Sequence, residues 1–320
     1  MKKVWCIDIG GLVHDIEFAV YEEHDIEYYL TKSLDEVDND LQLFGKEATV
    51  LVVQASFQVD GEFLDQLPQL QGICTLGMGF NNINLDEAKA RHITVSNVPD
   101  YSTTEVADHT VTLALSAIRD IKRFDQEVHK GIWNPTMKTP IRRLSTLTYG
   151  LIGFGKIAQE VAKRLVAFGF TIIAFDKYAP KHVFTALDVQ SVELEELWQR
   201  ADVISLHAPL TTETANLIDK EALMKMKKNV IIINTSRGGT IEEKALELAV
   251  ESGQILRVAL DVLKEEPPQI HHPLLKYDQV MITPHAAYLS VEAEQELQTK
   301  TAENVVRIAN GQLPLNIVNG

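Results

Sequence analysis

Cysteine is nearly absent. Two residues of it, Cys6 and Cys74, in a chain of 320 exclude a disulfide framework. Both lie in apolar, strand-like runs, as reduced core thiols of a cytoplasmic protein would. Long apolar runs are missing too: no stretch approaches the roughly 18 consecutive apolar residues of a spanning helix. Lys2 and Lys3 open the chain, but Asp8 interrupts the apolar run behind them, which argues against a signal peptide. Positive charge is in deficit, with 30 Lys and Arg against 45 Asp and Glu, a net of −15. Such a surface repels polyphosphate, and no basic cluster with interleaved aromatics offsets it, so neither nucleic acid nor an anionic membrane is an expected partner. A G-x-S-x-G elbow, a P-loop, a short-period repeat and a low-complexity tract are all lacking. None of the ten histidines stands at a compelling metal-ligand spacing from Cys, Asp or Glu, and no metal is expected.

What is present suffices for about two domains of roughly 150 residues each. Strand-like and helix-like runs alternate from end to end. A first series of strands is expected at Val4–Ile9, Ile26–Leu30, Thr49–Val53, Gly72–Leu76 and Ile93–Ser96, with helical runs such as Asp60–Leu67 and Leu85–Arg91 between them. A second series follows at Leu147–Ile152, Thr171–Phe175, Val203–Leu206, Val230–Asn234, Ile255–Leu260 and Val280–Thr283. Most are unbroken β-branched runs, the pattern of strands buried on both faces of a parallel sheet. Two such series predict an α/β fold with two doubly wound units. Between them the spacing predicts one long helix. Ser102 and Glu105 form an S-x-x-E capping box, and Val106, Thr110, Leu113, Ala114, Ala117, Ile118 and Ile121 recur at helical period. A loop-like stretch runs from Trp133-Asn134-Pro135 to Leu144.

Gly153-Phe154-Gly155-Lys156-Ile157-Ala158 directly follows the Leu147–Ile152 strand and opens a helix expected at Ala158–Phe168. The stretch reads G-x-G-x-x-A. Gly153 makes the tight turn, Gly155 lets the backbone approach a pyrophosphate, and Ala158 is small enough for close helix–strand packing. The helix start offers amides and a positive dipole end to phosphates. Alone, this is no more than a tight turn. With Asp176 at the end of the next strand, where a carboxylate accepts from the ribose hydroxyls, it points to a dinucleotide, and to NAD over NADP because the acid repels a 2′-phosphate.

Three charged residues end successive strands of the second series. Arg237 follows Val230–Asn234 in Asn-Thr-Ser-Arg-Gly-Gly, where it suits bidentate capture of a carboxylate or serves as a surface residue paired with Glu242 or Glu243. Asp261 ends the next strand, with Glu266 just before Pro267 and Pro268, and His285 follows the last strand. A histidine at a strand C-terminus with a carboxylate nearby suits a general acid/base, the carboxylate orienting the ring and stabilising its cation.

Over nearly its full length the sequence resembles the D-isomer-specific 2-hydroxyacid dehydrogenase family. The matching stretches are Asn97 to Tyr101, Val106-Ala107-Asp108, Gly150 to Ala158, His207-Ala208-Pro209-Leu210-Thr211, Asn234 to Gly238, Leu260-Asp261-Val262, Glu266-Pro267 and Thr283-Pro284-His285. Arg142-Arg143-Leu144 and Asp15-Ile16-Glu17 are similar to the branch related to C-terminal-binding proteins. The resemblance implies a cofactor domain over residues 104–288, inserted into a flavodoxin-like substrate domain made of 1–103 and 289–320. It implies hydride transfer between NAD(H) and a small 2-oxo acid/D-2-hydroxy acid pair. Arg237 would bind the carboxylate, helped by backbone amides near Met78 and Gly79; His285 would be the acid/base and Glu266 its partner. Thr104, Lys156, Ile157, Asp176, Pro209, Thr214, Thr235, Ser236, Asp261, Arg237 and His285 would line the cofactor together with Gly153 and Gly155. A homodimer built by the long helix and the Trp133 segment is also implied. The alternatives are an NAD(H)-sensing interaction scaffold resembling C-terminal-binding proteins and, among enzymes, a phosphoglycerate dehydrogenase-like protein or a glyoxylate/hydroxypyruvate reductase. Two features depart from the family pattern. The G-x-D-N-I-D stretch reads Gly79-Phe80-Asn81-Asn82-Ile83-Asn84, and Asp108 and Glu242 each stand where the other acid is usual.

Overall fold

The computed structural model describes residues 2–9, 11–136 and 139–320. Its elements begin with β1 (Lys3–Ile7), α1 (Asp15–Glu23), β2 (Glu27–Thr31), α2 (Val37–Leu43), β3 (Val50–Val53), α3 (Gly61–Asp65), β4 (Gly72–Thr75), α4 (Leu85–Ala90) and β5 (Thr94–Ser96). They continue with α5 (Thr103–Arg119), α6 (Ile121–His129), β6 (Thr148–Ile152), α7 (Lys156–Ala167), β7 (Thr171–Phe175), α8 (Lys181–Ala186), β8 (Gln190–Ser191), α9 (Leu194–Arg200) and β9 (Val203–Leu206). The last are α10 (Lys220–Lys225), β10 (Val230–Asn234), α11 (Glu243–Glu251), β11 (Ile255–Leu260), β12 (Val280–Ile282) and α12 (Val291–Ala309). Residues 1–101 with 290–320 form one compact unit, and residues 102–289 form another. Among the described residues no helix is long and apolar enough to cross a membrane.

In the first unit the strands run β2-β1-β3-β4-β5, every neighbouring pair parallel. Successive side chains of a strand point to opposite faces. Trp5, Ile7, Leu51, Val53 and Ile73 enter one core, while Val4, Cys6, Val50, Val52 and Cys74 enter the other with Val305 and Ile308 of α12. Helices cover both faces, which is why these strands read as unbroken apolar runs. Cys6 and Cys74 are buried free thiols. Burial pushes both up, away from the reactive thiolate.

In the second unit the order is β12-β11-β10-β9-β6-β7-β8, again all parallel. The chain moves outward from β6 in both directions, so the order reverses between β6 and β9. A crevice at the carboxyl ends of the strands is the usual ligand position at such a reversal. The seventh strand, β8, was not expected: its two residues are exposed at the sheet edge and carry no apolar run.

Two corrections concern the long helix. Ser102 does precede α5, but its side chain makes no capping bond. Its ψ of 22° is far from the extended geometry that aims an N-cap oxygen at the first turn. The helix also stops short of Ile121. Asp120 takes a left-handed conformation with φ of 60°, which separates α5 from α6. Its buried carboxylate accepts from Arg257 Nε at 2.9 Å and from Arg123 Nε at 2.5 Å. This ion pair ties the end of α5 to β11, and Ile121 is left exposed.

Candidate active site

The fingerprint occupies the crevice between β6 and β9. Gly153 has φ of +86°, and a Cβ there would stand 2.7 Å from the Ala208 amide nitrogen. No other residue type fits the position. Gly155 is the N-cap of α7, which therefore starts at Lys156, two residues earlier than expected. The first intrahelical bond runs from Gln159 N to Gly155 O at 3.0 Å, so the amides ahead of it face away from the helix. A Cβ on Gly155 would meet nothing within 4 Å. The space over the helix start is an open cradle lined by backbone donors, and it fits a pyrophosphate. Ala158 is fully buried.

Asp176 follows β7 and is clipped to this turn. Its Oδ2 accepts from the Phe154 amide at 2.6 Å, and its Oδ1 accepts from the Tyr178 and Ala179 amides at 2.7 and 2.8 Å. Lys177 beside it is paired at 2.8 Å with Glu213, so its charge is answered within the protein. Pro209 and Thr214 sit on the turn after β9, where the Thr214 hydroxyl donates to Pro209 O at 2.5 Å. His207 lies just ahead of that turn. Burial pushes its imidazole down to about 3, and its Nε2 is 2.7 Å from Ser205 Oγ. It is a neutral structural histidine.

The carboxyl ends of β10, β11 and β12 carry the charged trio. Asn234 ends β10 fully buried, and its side chain folds the following turn. Its Nδ2 donates to Arg237 O at 2.9 Å, and its Oδ1 accepts from the amide and hydroxyl of Ser236. Gly238 packs this turn onto the loop after β11, since a Cβ there would fall 2.0 Å from Leu263 C. The Leu263 amide in turn donates to Glu266 Oε1 at 2.7 Å. Arg237 Nη1 donates to Ser236 O at 2.7 Å. Of its two possible surface partners, Glu243 accepts from the Lys264 amide at 2.8 Å and lies 3.3 Å from His272.

Glu266 Oε2 lies 2.6 Å from His285 Nδ1. A carboxylate only accepts, so Nδ1 carries the hydrogen of this bond. The pair is partly open, with side chains 34% and 41% exposed. Burial pushes the Glu266 carboxyl up, but His285, the Leu263 amide and the Arg237 charge together outweigh it and hold it below its ordinary value. The ionised Glu266 therefore faces the His285 ring, and Arg237 close by supplies a fixed cation.

Asp261 is buried, and its carboxylate serves the His285 loop, accepting from the Ala286 and Ala287 amides at 2.9 Å each. Thr104 lies in the first turn of α5 and Thr235 and Ser236 in the Arg237 turn. Met78 and Gly79 belong to the first unit, on the loop after β4, where Asn97 Nδ2 donates to Met78 O at 2.7 Å. Two residues of this region were not picked out from the sequence as site residues, His109 and Thr283. They are 174 positions apart and 3.0 Å distant, and no local pattern signals such a pair. Among the described residues no group of three or more His, Cys, Asp or Glu stands where it could hold a metal ion.

A parallel sheet with a phosphate cradle at its reversal point and an Arg, a Glu and a His at neighbouring strand ends defines a dinucleotide-binding oxidoreductase. The comparisons with known proteins are specific. A family model described as "D-isomer specific 2-hydroxyacid dehydrogenase, NAD binding domain" matches residues 111–287. The chain is 38% identical over 298 residues to a hydroxypyruvate reductase of Thermotoga maritima, covering 92% of each. It is 41% identical over 275 residues, 86% of the chain, to a D-3-phosphoglycerate dehydrogenase of Methanocaldococcus jannaschii, of which it spans 52%. A solved D-lactate dehydrogenase of Aquifex aeolicus, complexed with NAD and lactic acid, superposes with a TM-score of 0.89 at 29% identity over 99% of each chain. The protein belongs to the D-isomer specific 2-hydroxyacid dehydrogenase family, and its cofactor is NAD.

Proposed function

We propose that the protein interconverts a small 2-oxo acid and its D-2-hydroxy acid, with His285 as acid/base and Arg237 as the carboxylate-binding group. The observation that carries this is the 2.6 Å bond between His285 Nδ1 and Glu266, in the unit that also holds the fingerprint. Gly153, Gly155 and the start of α7 hold the pyrophosphate, and Asp176 the adenosine ribose. NADH supplies the hydride when bound. Arg237 orients the carboxylate through its planar fork, which fixes the position of C2. His285 donates from Nε2 to the carbonyl oxygen, and Glu266 holds the ring by its Nδ1 for that transfer. The relatives are named for phosphoglycerate, hydroxypyruvate and lactate, which share one feature: an oxidisable or reducible carbon next to a carboxylate.

Purified protein with NADH is expected to reduce at least one of pyruvate, glyoxylate, hydroxypyruvate and the branched 2-oxo acids, read as loss of absorbance at the nicotinamide band. NADPH is expected to be at least about tenfold poorer in kcat/KM, because Asp176 opposes a 2′-phosphate. Turnover of none of these acids would overturn the proposed activity, and equal use of NADPH would overturn the role of Asp176.

A homodimer is part of the same proposal. α6 buries none of its residues. Its Ile121 and Val128 are exposed, as is Ile132 just after it, and Trp133 is 87% exposed. Several exposed large apolar residues in one short segment support an interface there. Trp133→Lys is expected to convert a dimer into a monomer in sedimentation velocity; a parent protein that sediments as a monomer would refute the assembly.

A further inference from the structure

The left-handed conformation of His285, at φ of +53°, is unfavourable for a residue with a Cβ, and surrounding bonds must hold it. Asp261 supplies them. Its backbone oxygen accepts from the His285 amide at 2.8 Å, and its buried carboxylate takes the Ala286 and Ala287 amides. The same carboxylate accepts from Thr283 Oγ1 at 2.6 Å. That hydroxyl has one hydrogen, and Asp261 receives it. The 3.0 Å contact between Thr283 Oγ1 and His109 Nε2 therefore has His109 as the donor, which fixes its tautomer with the hydrogen on Nε2. His109 Nε2 also lies 3.6 Å from Asp261 Oδ1.

The next residue of α5 repeats the arrangement toward the other half of the trio. Thr110 Oγ1 donates to Val106 O at 2.7 Å, so its 2.7 Å contact with Thr235 Oγ1 has Thr235 as donor. Thr235 lies two positions before Arg237 in the turn that carries the guanidinium. Consecutive residues of one helix thus brace both reactive loops.

We propose that His109, acting through Thr283, is a positioning residue for His285, and that α5 sets the spacing between the acid/base and the carboxylate-binding arginine. This rests on the activity proposed above. His109 touches neither reacting atom; it aims the loop that presents Nε2 of His285. Loss of a brace displaces that loop, and a misplacement of about 1 Å in a reacting group costs on the order of 10²-fold in rate.

The test uses Thr283→Val, which cannot bridge His109 and Asp261, against Thr283→Ser, which can. Thr283→Val is expected to lower kcat by about 10- to 100-fold with KM for NADH within about twofold of the parent, and Thr283→Ser to stay within about threefold. His109→Phe and His109→Gln give the same contrast, since the Gln amide still donates to Thr283. Long-range proton–nitrogen spectra of histidine-labelled protein read the His109 tautomer with no substrate present. Hydrogen on Nε2 in the parent, lost in Thr283→Val, supports the chain of bonds. Hydrogen on Nδ1 overturns it. Equal kcat in Thr283→Val and Thr283→Ser, or a rise in KM for NADH with kcat intact, also overturns it. Because the tautomer is observed without turnover, a protein that reduces no 2-oxo acid would refute the proposed activity while leaving this geometry decided on its own.

Discussion

Replacing His285 by alanine is expected to lower kcat for 2-oxo acid reduction by about 10²- to 10⁴-fold, the usual worth of a positioned general acid. The carbonyl oxygen would then take its proton from water, with no positioned acid beside it. Glu266→Gln separates the two parts of the pair. It keeps an acceptor for Nδ1 but removes the carboxylate charge beside the ring, so a smaller loss is expected, about 10- to 100-fold, confined to kcat. Glu266 is held below the ordinary carboxylate range and is ionised throughout the neutral region, so the substitution removes a full charge at working pH. Binding of NADH, followed by fluorescence, is expected to change by no more than a few-fold in either variant. That separates chemistry from binding. A His285→Ala protein that keeps parental kcat would assign the proton to another group.

The fingerprint and the strands around it were legible because their determinants are local. β6, β7, β9, β10 and β11 are short, mostly buried runs rich in β-branched and aliphatic residues, and the turn after β6 needs glycine at one position for its φ and its approach to Ala208. Asp176 sits a fixed distance further on, at the end of the next strand. Other features depend on partners far along the chain. Asp120 breaks the long helix because Arg257, 137 residues later, satisfies its carboxylate; the periodicity of Val106 to Ile121 carries no trace of that. Ser102 has the sequence of a cap but not the backbone of one, since its ψ is set where the chain enters α5. Glu266 and His285 could each be named from their strand ends, yet their contact joins the loops after β11 and β12, 19 residues apart, and no local pattern carries it. His109 stood unmarked on a helix face, and only the fold shows that it faces Thr283.

Outside that site, His14 is expected to make the first unit lose stability as pH rises. The ring lies between two carboxylates, Nε2 2.9 Å from Asp8 and Nδ1 2.9 Å from Glu17, and all three side chains are at most 3% exposed. Phe18 stacks on its face. Burial pushes the imidazole down, but its bonds to Asp8 and Glu17 outweigh burial and raise it from 6.5 to about 9. Burial likewise raises Glu17, with His14 opposing. The folded unit therefore holds a proton on His14 that the unfolded chain releases near 6.5. The stabilisation is complete below that pH and is lost as pH climbs from there through about 9, a change on the order of 3 kcal/mol. The raised Glu17 acts with the same sign at lower pH, starting from 4.5. His14→Gln leaves both carboxylates buried without a cation, and is expected to cost about 3–5 kcal/mol in the acid to neutral range. It should also flatten the pH dependence between 6.5 and 9, where the parent loses stability. Trp5 is buried in this unit, so its fluorescence during urea unfolding follows the transition once Trp133 and Trp198 are replaced by Phe. Asp8→Asn combined with His14→Gln and Glu17→Gln removes every charge of the trio together and is expected to recover much of the loss. A parent midpoint that does not fall between pH 6.5 and 9, or a His14→Gln midpoint that falls as steeply, would show that the ring is neutral in the folded unit.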